Sequence, residues 1–221
     1  MKTIYYYLPE MLNSLKETVI MMGIAVLVGS IGGLLVGTSL YLYRTQGKTA
    51  KPWLTLLLNA YVNIVRSFPF LLLVVALIPF TRWVFGTAFG PIAASLPLSI
   101  VAIAIYSRLV EQVLLDIPQE VIQLGNALGA TNSQLVRHFL LKEGRSGLLL
   151  SLTSMIISLI SYSTIMGVVG GGGIGDFAIR FGYQRYEYGV VYTTIIVIII
   201  IVGSIQMLGN RLSKKLDKRK L

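Results

Sequence analysis

Charge interrupts this chain at long intervals, and the stretches between are almost wholly apolar. Uncharged runs cover 18–43, 83–107, 146–175 and 188–210. Each is long enough to cross a hydrocarbon core, which needs roughly 20 apolar residues in a helix. A further run, 52–81, holds the single charge Arg66. The pattern predicts an all-α integral membrane protein with five transmembrane helices. The number falls to four if 52–81 is two interfacial pieces rather than one crossing.

Between the third and fourth apolar runs, Ser107 to Arg145 reads as helix, glycine turn, helix. Asp116 and Gln119 have the spacing of an N-cap and its reciprocal partner, with Pro118 tolerated in the first turn and Glu120 favoured by the helix dipole. This helix is expected to run to about Leu128, where Gly129 supplies a left-handed residue. Thr131 and Gln134 form a second capping box, opening a helix through Val136, Phe139 and Leu140. Two capped helices around one glycine predict a short rigid knob that could dock another protein.

The remaining segments give weaker signals. Residues 3–17 are aromatic and mixed in charge, suiting an interfacial amphipathic piece with Tyr5 to Tyr7 as belt residues. The first span is dotted with Gly23, Gly29, Gly32, Gly33 and Gly37, small residues that allow close helix packing within the chain or between copies. Arg66 is expected near an interface or a wet interior, with Pro69 kinking its helix. Ser151, Thr153, Ser154, Ser158, Ser161, Tyr162, Ser163 and Thr164 either satisfy themselves on their own helix or line a polar route. Ile195 to Ile201 should face lipid or lie within the bundle.

Composition agrees with the pattern: 55% of residues are hydrophobic, 13% are charged, and mean hydropathy is +0.76. The net charge of +10 would suit nucleic acid, but its placement does not. With five crossings, Arg44, Lys48, Lys51, Arg108, Arg137, Lys142, Arg145 and the tail from Arg211 to Lys220 share one side, thirteen cations in all. Lys2, Lys16, Arg82, Arg180 and Arg185 lie opposite. The positive-inside rule then puts the N-terminus outside and the C-terminus and knob in the cytoplasm, with no nucleic-acid partner. The first apolar run is too long for a signal peptide and should remain as a membrane helix.

Several motifs are decoys. Gly47-Lys48-Thr49 resembles the end of a P-loop, but Leu42 stands where its first glycine belongs. Gly170, Gly172 and Gly175 match GxGxxG, yet they follow a membrane helix rather than a strand, and predict a flexible outer loop. His138 is the lone histidine and reads as solvated or helix-capping. Cysteine is absent, which excludes disulfides and thiolate sites. With no Asp, Glu, His or Lys inside a span, a proton-coupled pump is disfavoured. No catalytic apparatus, metal site or cofactor is expected in this chain.

The knob sequence Gln123-Leu124-Gly125-Asn126-Ala127-Leu128-Gly129-Ala130-Thr131 resembles the EAA loop of type I ABC importer permeases. It departs from that pattern at Gln123 (Glu in the family), Leu124 and Gly125 (two alanines) and Lys142 (a proline). A second patch, Gly167-Val168-Val169-Gly170-Gly171-Gly172-Gly173-Ile174-Gly175-Asp176 with Ala178 to Tyr186, is similar to the methionine importer permeases. Arg66-Ser67-Phe68-Pro69-Phe70 and Ile78-Pro79-Phe80-Thr81-Arg82 support it. The resemblance covers roughly residues 15 to 210.

It implies a type I ABC permease fold, with 1–16 as an outer segment, 17–210 as the permease domain, a coupling loop at about 116–144, and 211–221 as a basic cytoplasmic tail. It also implies a multi-pass subunit of a bacterial cell membrane importer for L- or D-methionine or derivatives. The partners would be a second copy of the chain, ABC ATPase subunits that hydrolyse the ATP, and an extracytoplasmic methionine-binding protein. Gln123 to Thr131 would couple to the ATPase. Arg66, Ser67, Pro69, Ser158, Ser161, Tyr162, Ser163 and Met166 are the pathway or gate candidates. Gly171, Gly172, Gly173, Asp176 and Arg180 are the candidates for touching the binding protein, within an outer loop at 171–187. An ATP-independent channel or facilitator for a small neutral solute is the alternative, and a membrane scaffold a third reading.

Overall fold

The first apolar run and the aromatic segment before it form one helix. In the computed structural model, which describes residues 2–46 and 52–217, α1 spans Lys2–Gln46 with Pro9 inside it. The expected amphipathic segment is therefore the first part of α1. Tyr7, Met11 and Leu15 recur at helical spacing, and they pack on a cluster of Ile174, Phe177, Phe181 and Val190. That burial makes helical continuity worthwhile. The Tyr5 side chain and the Gly47-Lys48-Thr49 decoy lie outside the described residues.

Below that cluster α1 runs alongside α4 (Pro91–Leu115), the most buried of the long helices. Gly33 and Gly37 are buried in the seam. A Cβ on Gly33 would fall 2.8 Å from Tyr106 Cβ, and one on Gly37 2.8 Å from Val110 Cβ. Contacts this close let two backbones approach where lipid provides no hydrophobic drive. The glycine pair thus serves packing within the chain and has no face left for a second copy.

The same contacts set the topology. Gly33 lies by Tyr106 and Gly37 by Val110, so α1 and α4 run parallel. The chain leaves α1 where Arg44 faces Glu111 and enters α4 where the Gly90 amide donates to the Gly170 carbonyl at 2.9 Å. Helices α2 (Pro52–Ser67) and α3 (Phe70–Phe85) must together carry it back. Their axes differ by 119° at the Phe68–Pro69 break. Pro69 was expected to kink a continuous span; it ends one helix and caps the next, because proline disfavours helical geometry in the residue before it. Counted as one passage, this pair joins α1, α4, α8 (Arg145–Val168) and α10 (Tyr188–Leu216) to give five.

Two expected boundaries shift. The third span begins at Pro91, after Gly86 and Gly90 break the chain, and it continues past Arg108 to Leu115. Charge marked the wrong end because Arg108 and Glu111 neutralise each other on the helix, 2.6 Å apart. Glu111 is buried near the end of α4, beyond the uncharged run 83–107. Along α10, Ile195, Ile196, Ile199 and Ile200 are exposed, as a lipid-facing surface requires.

Candidate functional site

The knob joins α4 to α8. Helix α5 (Gln119–Ala127) has Pro118 as its N-cap, with no side-chain cap. Asp116 is not the cap: it closes α4, its amide donating to the Gln112 carbonyl at 3.1 Å. The Ala127–Thr131 turn forms as the residues dictate. Leu128 caps α5, and Gly129 takes φ +70°. The Gly129 amide donates to the Asn126 carbonyl at 3.0 Å and the Ala130 amide to the Gly125 carbonyl at 3.0 Å. These two bonds are the Schellman closure, which a left-handed glycine makes cheap.

The capping box at Thr131 also forms. The Thr131 amide donates to Gln134 Oε1 at 2.9 Å, and the Gln134 amide to Thr131 Oγ1 at 3.4 Å. It opens α6 (Asn132–Gln134), which passes into a π-helical stretch, Leu135–Leu140, and then α7 (Leu141–Glu143). Gly125 is buried against Leu135 and Phe139, and Leu135 and Leu140 join the main core. The knob is therefore anchored from inside. Its outer face carries two exposed leucines: Leu124 and Leu128, one turn apart, are 56% and 70% exposed. Gln123, Asn126, Ala127, Gly129 and Thr131 are exposed beside them, with Ala130 half-buried. His138 is exposed on the π-helical stretch.

A cavity of about 300 Å³ with a mixed polar and apolar lining lies where α2 breaks from α3 and faces α4 and α8. Arg66, Ser158 and Tyr162 line it together with Arg108 and Gln112, which the sequence reading left unassigned. Ser67 and Pro69 lie exposed at the break, and Ser161 is exposed. Ser163 and Met166 are buried and do not line this space. Most α8 hydroxyls are satisfied on their own turn: Thr153 donates to the Leu149 carbonyl at 2.9 Å, Ser154 to Leu150 at 3.1 Å, and Ser163 to Ile160 at 2.7 Å.

At the opposite end, the segment after α8 is folded rather than loose. Helix α9 (Gly173–Phe177) leads into a second π-helical stretch, Ala178–Tyr183. Glu17 Oε2 accepts the Gly173 amide and Thr18 Oγ1 accepts the Ile174 amide, both at 2.8 Å. Gly171 and Gly173 are buried, Gly172 and Asp176 half-buried, and Arg180 is exposed and paired with Asp176 at 2.8 Å. Arg185 sits over the Phe181 ring at 4.8 Å. The exposed edge is Tyr183 to Tyr186, not the glycines. No local signal could announce this cap, because its two halves are 156 residues apart.

Comparison with known proteins agrees with this architecture. The family model described as "binding-protein-dependent transport system inner membrane component" matches residues 33–221. A Vibrio cholerae protein described as a probable D-methionine transport system permease protein is 39% identical over 209 residues, covering 95% of this chain and 93% of its own. A Bacillus subtilis methionine import system permease protein is 38% identical, covering 72% of each chain. Among solved structures, an inward-facing form of the MetNI methionine ABC transporter superposes with a TM-score of 0.90 at 36% identity, covering 99% of this chain and all of that one. An amino acid ABC transporter solved with histidines shares the fold, with a TM-score of 0.80 at 18% identity.

Proposed function

The chain belongs to the family of binding-protein-dependent transport system inner membrane components, and from that premise we propose that it is the permease subunit of an ATP-driven methionine importer. The knob is the observation that carries the reading. Both of its joints are closed by hydrogen bonds, its inner face is packed into the core, and its outer face presents Leu124 and Leu128. A body built this way moves as one piece, so a push on its tip reaches α4 and α8 rather than being lost in a flexible loop.

In this reading two copies of the chain form the pathway between them, and each knob seats in a groove of a cytoplasmic ATPase subunit. Hydrolysis belongs to that partner. ATP closes the ATPase pair, the knobs move, and the spans switch from inward-facing to outward-facing. An extracytoplasmic binding protein delivers methionine, in its L or D form, to the end that carries α9. The N-terminus is outside and the C-terminus in the cytoplasm. The methionine assignment is supported by the names of relatives that this chain matches along most of its length.

The test is uptake in proteoliposomes holding this chain with its ATPase and binding protein. ATP-dependent methionine accumulation is expected. Equal uptake with a hydrolysis-dead ATPase would favour the ATP-independent facilitator instead.

A further inference from the structure

The second half of the knob does not close against the first helix. A crevice of about 410 Å³ lies between them, lined from α1 by Leu34, Leu35 and Leu42 and from the knob by Asn132, Ser133 and Arg137. Leu42 stands two residues before Arg44, in the last turns of α1. Leu34 lies about 12 Å further along the helix, at 1.5 Å per residue. Leu35 is 65% exposed on a helix long and apolar enough to cross a bilayer, so the crevice opens towards lipid. Ser39, one turn on, also lines it and is exposed.

The charge of this space is one-sided. Arg137 is the one charged group in its lining among the described residues. From Asn132 to Lys142 the knob carries Arg137, His138 and Lys142 and no acid. The side chains of Asn132, Ser133 and Arg137 have no hydrogen bond or ion pair among the described residues. An amide, a hydroxyl and a guanidinium are donors suited to the oxygens of a phosphate. A zwitterionic headgroup would bring an ammonium group for which the lining offers no carboxylate. Basic pockets beside membrane helices on the cytoplasmic side suit acidic headgroups, and that leaflet is the negatively charged one. The exposed leucines offered to the ATPase, Leu124 and Leu128, do not line the crevice.

We propose that this crevice seats an anionic phospholipid, with its phosphate on Arg137, Asn132 and Ser133 and an acyl chain along Leu34, Leu35 and Leu42. The bound lipid braces the second half of the knob against α1. This inference rests on the importer reading above for the side of the membrane on which the knob lies, and it adds a lipid to the coupling element.

The test is native mass spectrometry of the full chain in detergent, titrated with phosphatidylglycerol or with phosphatidylcholine of the same acyl chains. One phosphatidylglycerol should bind about fivefold more tightly than phosphatidylcholine, the preference that a single arginine gives an acidic lipid. Arg137→Gln should bring the two lipids to nearly equal affinity, whereas Arg137→Lys keeps the preference. Arg211→Gln, which removes a charge from the tail outside the crevice, should leave the preference unchanged. Ser39→Trp fills the crevice from the α1 side and should weaken binding of both lipids; the Ser39 hydroxyl bonds only its own helix, at the Leu35 carbonyl. Equal affinity for the two lipids in the unaltered chain overturns the proposal. So does a preference that survives Arg137→Gln, or one that Arg211→Gln removes equally. If Arg137→Gln does not fold, unchanged binding in Ser39→Trp overturns it alone. Failure of the importer reading shows separately, as absence of ATP-dependent methionine uptake by the unaltered protein.

Discussion

Glu17 and Gly173 are joined by a hydrogen bond of 2.8 Å from the Gly173 amide to Glu17 Oε2. Glu17 lies on the first helix and Gly173 begins the short helix after α8, so this contact fastens the two parts of the chain that form the end opposite the knob. The first amides of a helix have no partners inside it, and a carboxylate is well suited to receive them.

Removing that carboxylate should loosen this end first. Glu17→Ala is expected to lower stability by about 1.5–3 kcal/mol, the range for a hydrogen bond to a charged group. Glu17→Gln keeps an acceptor and should lose less. Thermal unfolding in detergent compares the two, and equal losses would mean that the carboxylate acts through something other than this cap.

Gly129 is the position where the knob tolerates least change in backbone. Gly129→Val forces a β-branched residue into φ +70°, costing about 1–3 kcal/mol, although no neighbour lies within 4 Å of the added Cβ. The strain is conformational, so Gly129→Asn should be milder, because asparagine accepts left-handed geometry. The expected readouts are weaker co-purification of the ATPase and slower uptake for valine, with asparagine intermediate.

Thr131 offers a gentler test of knob rigidity. Thr131→Ala removes the oxygen that accepts the Gln134 amide and should cost about 0.5–2 kcal/mol. Thr131→Ser should be close to neutral. Amide hydrogen exchange over residues 131–135 would register faster exchange in the alanine variant alone.

The α1–α4 seam predicts a contrast between glycines. Gly37→Leu must displace Val110 and the backbone near Ser107, and overpacking of that kind costs about 1–3 kcal/mol or more. A Cβ added at Gly23 meets nothing within 4 Å, so Gly23→Leu should express normally. Comparable loss of folded yield in both would mean that the seam is not as close as described.

These positions also show what a sequence can and cannot disclose. Gly129 and Thr131 were legible because their hydrogen bonds close within a few residues, so spacing alone specifies them. Asp116 was misread for the same reason. Its spacing to Gln119 suits a cap, but α4 continues through Glu111 to Leu115 and claims Asp116 for its own end. Arg108 reads as a boundary charge by itself, and its ion pair with Glu111 carries the helix past it. The resemblance to type I permeases identified the fold, yet neither it nor the hydropathy pattern placed Glu17 at Gly173 or brought Arg66, Gln112 and Tyr162 around one cavity. Those meetings depend on how five helices pack, which no local pattern records.

Leu124 and Leu128 stand exposed on the knob, and the proposed coupling presses them against a cytoplasmic ATPase. Its most direct measurement places a single cysteine at Leu124 in this cysteine-free chain and applies thiol chemistry to oriented membranes. Cross-linking to the ATPase subunit is expected, with a yield that changes on ATP binding, and no reaction with a membrane-impermeant reagent added outside. Labelling from the outside, with no ATPase adduct, would contradict it.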